Sequence, residues 1–181
     1  MIRLGYAITT TAAVSLFGVM SAVSFAPRLI WNASASAPIG LYAIEPERSP
    51  EITDLVAVRA PEPLDGFLVE RGYIGRGVPL MKRVAALPGQ RVCRHGVAIT
   101  VDAVPIGDAL ARDRLGRPLP IWQGCRTIAE DELFLMNWQV RDSLDGRYFG
   151  PLPASAVIGR AIPLHTDEDG DGRFVWRAPT R

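Results

Sequence analysis

Apolar positions fall into one long run near the start of the chain and several short runs after it. Between Leu4 and Ala26 there is no charged residue, and Ile8, Val14, Leu16, Phe17, Val19, Met20, Val23 and Phe25 lie within that stretch. About 20 such residues cross a bilayer core as a helix. Residues 1–27 therefore read as an N-terminal membrane anchor. Arg3 and Arg28 flank it with one charge each, which leaves its orientation nearly undecided. Ser24 and Ala26 also suit a removable secretory signal. Pro27 would then follow the scissile bond, where its fixed φ and missing N–H fit an extended protease cleft badly. A retained anchor is expected, and either reading exports residues 28–181.

Beyond the anchor the pattern is that of strands. Leu41 to Ile44, Leu55 to Arg59, Met81 to Leu87, Val97 to Val101, Leu133 to Trp138, Val157 to Pro163 and Phe174 to Trp176 are short apolar or alternating runs bounded by Pro, Gly or Asp. They predict a mainly β domain, an antiparallel and partly closed sheet system. Arg94-His95-Gly96 reads as a hairpin turn after Arg91 to Cys93. Residues 102–123 differ, being rich in Asp, Arg, Gly and Pro. They read as an inserted flap or subdomain within about 93–125, with a short helix over Ala109 to Arg114.

Composition sharpens three points. The 181 residues suit one catalytic or binding unit, and a formal net charge of +1 gives no bulk attraction for nucleic acid. In an exported domain Cys93 and Cys125 form an even pair, so one disulfide at the base of the excursion is expected, with catalytic thiols as the weaker alternative. Of the 20 basic residues, Lys82 is the sole Lys and the other 19 are Arg. Arg cannot release a proton in a protein, whereas a desolvated Lys can become a base.

Candidate chemistry sits in three segments. Residues 32–42, Asn-Ala-Ser-Ala-Ser-Ala-Pro-Ile-Gly-Leu-Tyr, interleave hydroxyls with small side chains and bring backbone N–H groups within reach of a carbonyl. Alone they equally suit a juxtamembrane linker. Residues 79–89, Pro-Leu-Met-Lys-Arg-Val-Ala-Ala-Leu-Pro-Gly, place Lys82 inside an apolar strand, on the face of Leu80 and Val84. The alternative is an edge-strand Lys that discourages aggregation. Residues 137–150 hold Ser143, Asp145 and Arg147 in a polar turn, where Asp145 and Arg147 can pair.

In this order the segments resemble the type I signal peptidase family. Lys82-Arg83-Val84 with Leu87-Pro88-Gly89 is similar to the box containing the family's Lys base. Ser143, Asp145, Arg147, Tyr148 and Gly150, followed by Gly159-Arg160-Ala161, resemble its last boxes. Ser36 stands one residue closer to Pro38 than in housekeeping enzymes, and Gln90 replaces their common Asp. The shorter first box, with Asn32, Ser34, Ser36, Pro38, Gly40, Leu41 and Tyr42, resembles the TraF-type peptidases of conjugative transfer.

The resemblance implies a serine endopeptidase in which neutral Lys82 takes the proton of Ser36 Oγ. Ser34 and the Ser36 N–H would hold the oxyanion, Ser143 would orient Lys82, and Asp145 with Arg147 would brace the turn. It implies no cofactor and no metal. The substrate would be an exported precursor, such as a conjugative pilin precursor, bound as an extended peptide with small side chains in shallow pockets. The N-terminal helix would bind membrane lipid as a single pass in the inner membrane, leaving the catalytic domain on the extracytoplasmic side beside conjugation or secretion components.

Rival readings are a non-catalytic anchored β scaffold and a self-cleaving repressor-type protein, the latter opposed by the anchor and the lack of a DNA-binding helix pair. Asp167, Asp169, Asp171 and Gly172 match the opening of a calcium loop. Its twelfth position is Ala178, where a bidentate Glu is needed, so a solvated acidic turn is expected.

Overall fold

The computed structural model describes residues 5, 6, 8–15, 28–46 and 49–179. Residues 5, 6 and 8–15 are helical, and among the described residues no helix is long and apolar enough to cross a membrane. Residues 16–27 of the expected anchor lie outside the described residues.

The described residues from 28 onward are built mainly of antiparallel strands. In chain order they are β1 (Leu29–Asn32), β2 (Ile39–Glu45), β3 (Leu55–Val58), β4 (Leu80–Ala86), β5 (Arg91–His95), β6 (Ala98–Val101), β7 (Val104–Asp108), β8 (Gly124–Thr127), β9 (Glu132–Leu135), β10 (Leu152–Pro153), β11 (Val157–Asp167) and β12 (Val175–Trp176). Two short helices interrupt them, α1 (Leu64–Glu70) and α2 (Gly146–Phe149). One sheet has the order β1-β2-β11-β3-β4-β9-β10, with β12 beside β11, and the second has the order β7-β6-β5-β8. The seven apolar runs correspond to β2, β3, β4, β6, β9, β11 and β12. Of the other strands, β5 contains the Arg91 to Cys93 segment expected before the hairpin turn, β7 carries Pro105 and Gly107, and β8 is largely exposed.

Two cores lie on opposite sides of the first sheet. Val56, Val58, Leu80, Val84, Leu133 and Leu135 pack with Leu68 of α1, while Ala37, Tyr42, Leu55, Ala57, Met81 and Ala161 form the other. A third core joins the sheets, with Ala86 and Phe134 of the first against Val92, Ile99 and Val101 of the second. β4 is interior, paired on both sides, so Lys82 is not an edge residue. Every position from Leu80 to Val84 is buried, so both faces of β4 are covered, with Leu80 and Val84 in one core and Met81 in the other.

At Gly40 (φ +148°) a Cβ would stand 2.2 Å from the His165 carbonyl oxygen, so only glycine admits this close approach of β2 to β11. The β11 register shifts opposite, between Pro163 and His165.

The excursion departs from expectation. Residues 98–108 pair as β6 and β7 within the second sheet, and Cys93 and Cys125, directly opposite on β5 and β8, are joined by a disulfide. Both sulfurs are thus committed, which corrects the catalytic-thiol alternative. Ala109 to Arg114 is not a helix. Arg112 bridges Pro118, and the Asp113 carboxylate accepts the N–H groups of Leu115 and Arg117, closing a tight loop. Tyr73 and the Arg117 side chain also donate to Asp113. Burial would raise this carboxyl, but those bonds outweigh it and hold it far below the usual range. Arg117 donates to the Arg71 carbonyl and Arg71 to the Pro118 carbonyl, tying the loop to the chain beyond α1.

Candidate active site

The loop between β1 and β2 presents Ser36, half-buried, at the mouth of a cleft. Asn32, at the end of β1, shapes the loop from within. Its Nδ2 donates to the carbonyls of Ser34 (2.9 Å), Ala37 (3.1 Å) and Pro38 (3.0 Å), and its Oδ1 accepts from the Ser34 N–H (3.2 Å) and hydroxyl (3.1 Å). The proton of Ser34 is therefore engaged, and the 3.0 Å contact between the two serine hydroxyls has Ser36 donating. Tyr42 donates from below to the Pro38 carbonyl (2.7 Å). Burial and the charge of Glu168 raise its phenol, so it stays a donor.

Lys82 enters the same cleft from β4, only 4% exposed. Its Nζ donates to Ser143 Oγ at 2.9 Å. Burial pushes the ammonium from 10.5 down to about 8, Asp145 draws it partly back, and Arg147 lowers it further. Among the described residues no hydrogen bond joins Ser36 Oγ directly to Lys82 Nζ. Both line one cavity, and Ser143 is the bonded partner of the amine.

Beneath Ser143 the chain is held by a buried ion pair. The Arg147 guanidinium meets Asp145 through Nε (2.9 Å) and Nη2 (2.8 Å), with both side chains at most 1% exposed. It also donates to the carbonyls of Val140 (2.7 Å), Arg141 (3.0 Å), Ser143 (3.1 Å) and Asn137 (3.3 Å). Asp145 further accepts the N–H groups of Asn137 and Arg147. One guanidinium thus organises the whole turn 137–143.

The principal cavity, about 710 Å³, runs from Ser36 and Lys82 past Leu68, Ile74 and Val78 to Leu110, Leu115 and Leu119. The 109–119 loop, reaching over from the second sheet, lines it with Leu110, Leu115 and Leu119. A second cavity of about 490 Å³ meets Ser36 from the other side, lined by Arg83, Asn137, Asp167 and Glu168. Asp167 there caps its own turn, accepting the N–H groups of Asp171 (3.2 Å) and Gly172 (2.9 Å).

Residues 1–165 match the sequence profile described as "Signal peptidase, peptidase S26". The chain belongs to the signal peptidase family. It is 38% identical over 175 residues to the "Probable conjugal transfer protein TraF" of Sinorhizobium fredii, covering 90% of this chain and 88% of that one. It is 33% identical over 146 residues to a "Plasmid transfer protein TraF" of Escherichia coli, covering 75% and 81%. A signal peptidase I from Enterococcus faecalis V583 aligns with a TM-score of 0.38 at 20% identity, over 62% of this chain and 97% of that one. The family establishes a serine peptidase of signal peptidase type.

Within this signal peptidase chain the structure brings Ser34, Ser36, Lys82 and Ser143 to one cleft and sets Asp145 and Arg147 behind it. Cys93 and Cys125 lie apart, in the second sheet. Sequence reasoning gave no role to Asn32 or Asn137. Both stand inside the polar segments, but their bonding depends on which carbonyls the fold turns toward them.

Proposed function

We propose that the protein is a membrane-anchored serine endopeptidase that removes signal or leader segments from exported precursors, among them a conjugative pilin precursor. Ser36 is the nucleophile and Lys82 its general base. The observation that carries this reading is a lysine amine buried in an apolar cleft, bonded to Ser143 and lowered to about 8, in the same cavity as an accessible serine. A scaffold would gain nothing from desolvating its one lysine.

Precursor lies extended between the 33–38 loop and the 109–119 wall, with its scissile carbonyl at Ser36. The amine takes the Ser36 proton as Oγ attacks that carbonyl. The Ser36 N–H and the Ser34 hydroxyl, rotated away from Asn32, receive the oxyanion. Protonated Lys82 then returns its proton to the departing amine, and water completes hydrolysis of the acyl-enzyme by the same base. Ser143 keeps the amine aimed. Residues 1–27 anchor the chain in the inner membrane as a single pass, holding the catalytic part on the extracytoplasmic side near its substrates.

Co-expression with candidate pilin precursors, with product masses measured, tests the reading. Wild-type protein is expected to yield one trimmed product, and Ser36→Ala only the full precursor. Equal processing by Ser36→Ala would refute it.

A further inference from the structure

Ser36 and Lys82 are distant in the sheet. The 33–38 loop leads into β2, β2 pairs with β11, β11 with β3, and β3 with β4. Two of those three ladders carry register shifts, between Pro163 and His165 and between Val157 and Gly159. The ladder route from the loop to the strand that carries Lys82 is therefore indirect.

Asn137 spans the gap directly. Its Nδ2 donates to the Ser36 carbonyl at 2.6 Å and to the Met81 carbonyl at 3.0 Å, while its Oδ1 accepts the Arg83 N–H at 3.0 Å. Met81 and Arg83 are the residues on either side of Lys82. The amide's two N–H groups and its oxygen are all used, at 4% exposure. Its own main chain is fixed in turn, the N–H donating to Asp145 (3.0 Å) and the carbonyl accepting from Arg147 (3.3 Å). One side chain thus joins the serine loop, the lysine strand and the buried ion pair.

We propose that Asn137 is a positioning residue for the dyad: it sets the spacing between the Ser36 main chain and the strand bearing Lys82. The inference rests on the Ser36–Lys82 reading above. Asn137 acts through those two residues and takes no proton itself. Asn137→Asp keeps the size and an acceptor for Arg83 but turns a carboxylate toward two carbonyls. Asn137→Ala removes all three side-chain bonds. In either variant the loop and strand lose their common tie, and a displacement of about 1 Å between reacting groups costs about 100-fold in rate.

The test uses the full chain with precursor peptide, and separately with a fluorophosphonate as a small acylating probe of Ser36, each variant assayed well below its own melting midpoint. Both variants are expected to lose about 100-fold in kcat while KM changes by less than about threefold, and Ser36 acylation is expected to slow by a similar factor. Wild-type kcat in folded variants would overturn the inference. So would failure of both variants to fold, which would leave Asn137 a stability role alone. Absence of Ser36 acylation in the wild-type protein would instead remove the dyad reading beneath it.

Discussion

Lys82→Arg is expected to lower precursor cleavage by about 10²- to 10⁴-fold, the range that a positioned general base contributes. The change preserves positive charge and a donor for Ser143, yet guanidinium stays protonated throughout the working pH range. Lys82→Met, which removes the charge and keeps the length, is expected to be as inactive and to fold at least as well, because it relieves the cost of burying an amine at 4% exposure. Gel-based processing assays with circular dichroism on the same samples separate the two effects. Cleavage by Lys82→Arg within about tenfold of wild type would remove the base assignment.

The second large effect falls on stability. Arg147→Met is expected to destabilise the protein by about 3–5 kcal/mol, since it strands the Asp145 carboxylate in a site where both partners are at most 1% exposed. The loss extends beyond the pair, because four carbonyls of the 137–143 turn lose a donor. Replacing both partners with apolar residues is therefore expected to recover only part of the loss, unlike an isolated buried pair. Arg147 also lowers the Lys82 ammonium, so the surviving folded Arg147→Met protein is expected to need higher pH for the same rate. Urea denaturation gives the stability, and a loss below about 1 kcal/mol would contradict the bracing role.

The strands that carry the site were legible because their apolar runs are core positions. β2, β3, β4 and β11 pair in one sheet around Leu55, Ala57, Met81 and Ala161. Lys82 was legible for a chemical reason, as the one amine in a chain whose other cations are guanidinium groups. The Asp145–Arg147 pair was readable from its two-residue spacing in a turn.

What the pattern could not give is long-range bonding. Asp113 sits in a polar stretch that reads as a solvated excursion, yet its loop folds back to the chain beyond α1 through Tyr73 and Arg71, 40 and more residues earlier, and becomes a cleft wall. α1 escaped notice because Pro63 and Gly66 break the apolar period around Leu68. Asn137 is one polar residue among several, and only the fold turns its amide toward Ser36, 101 residues away.

In the proposed mechanism a neutral Lys82 activates Ser36. The most direct test of that step is the rate of Ser36 acylation by a small fluorophosphonate as a function of pH, with the labelled residue located by mass spectrometry. Burial holds the amine at about 8, and the neutral form is the base, so the rate should rise with pH and level off above that midpoint. A rate still climbing about tenfold per pH unit beyond about pH 10, where an ordinary lysine titrates, or a label on a residue other than Ser36, would contradict the account.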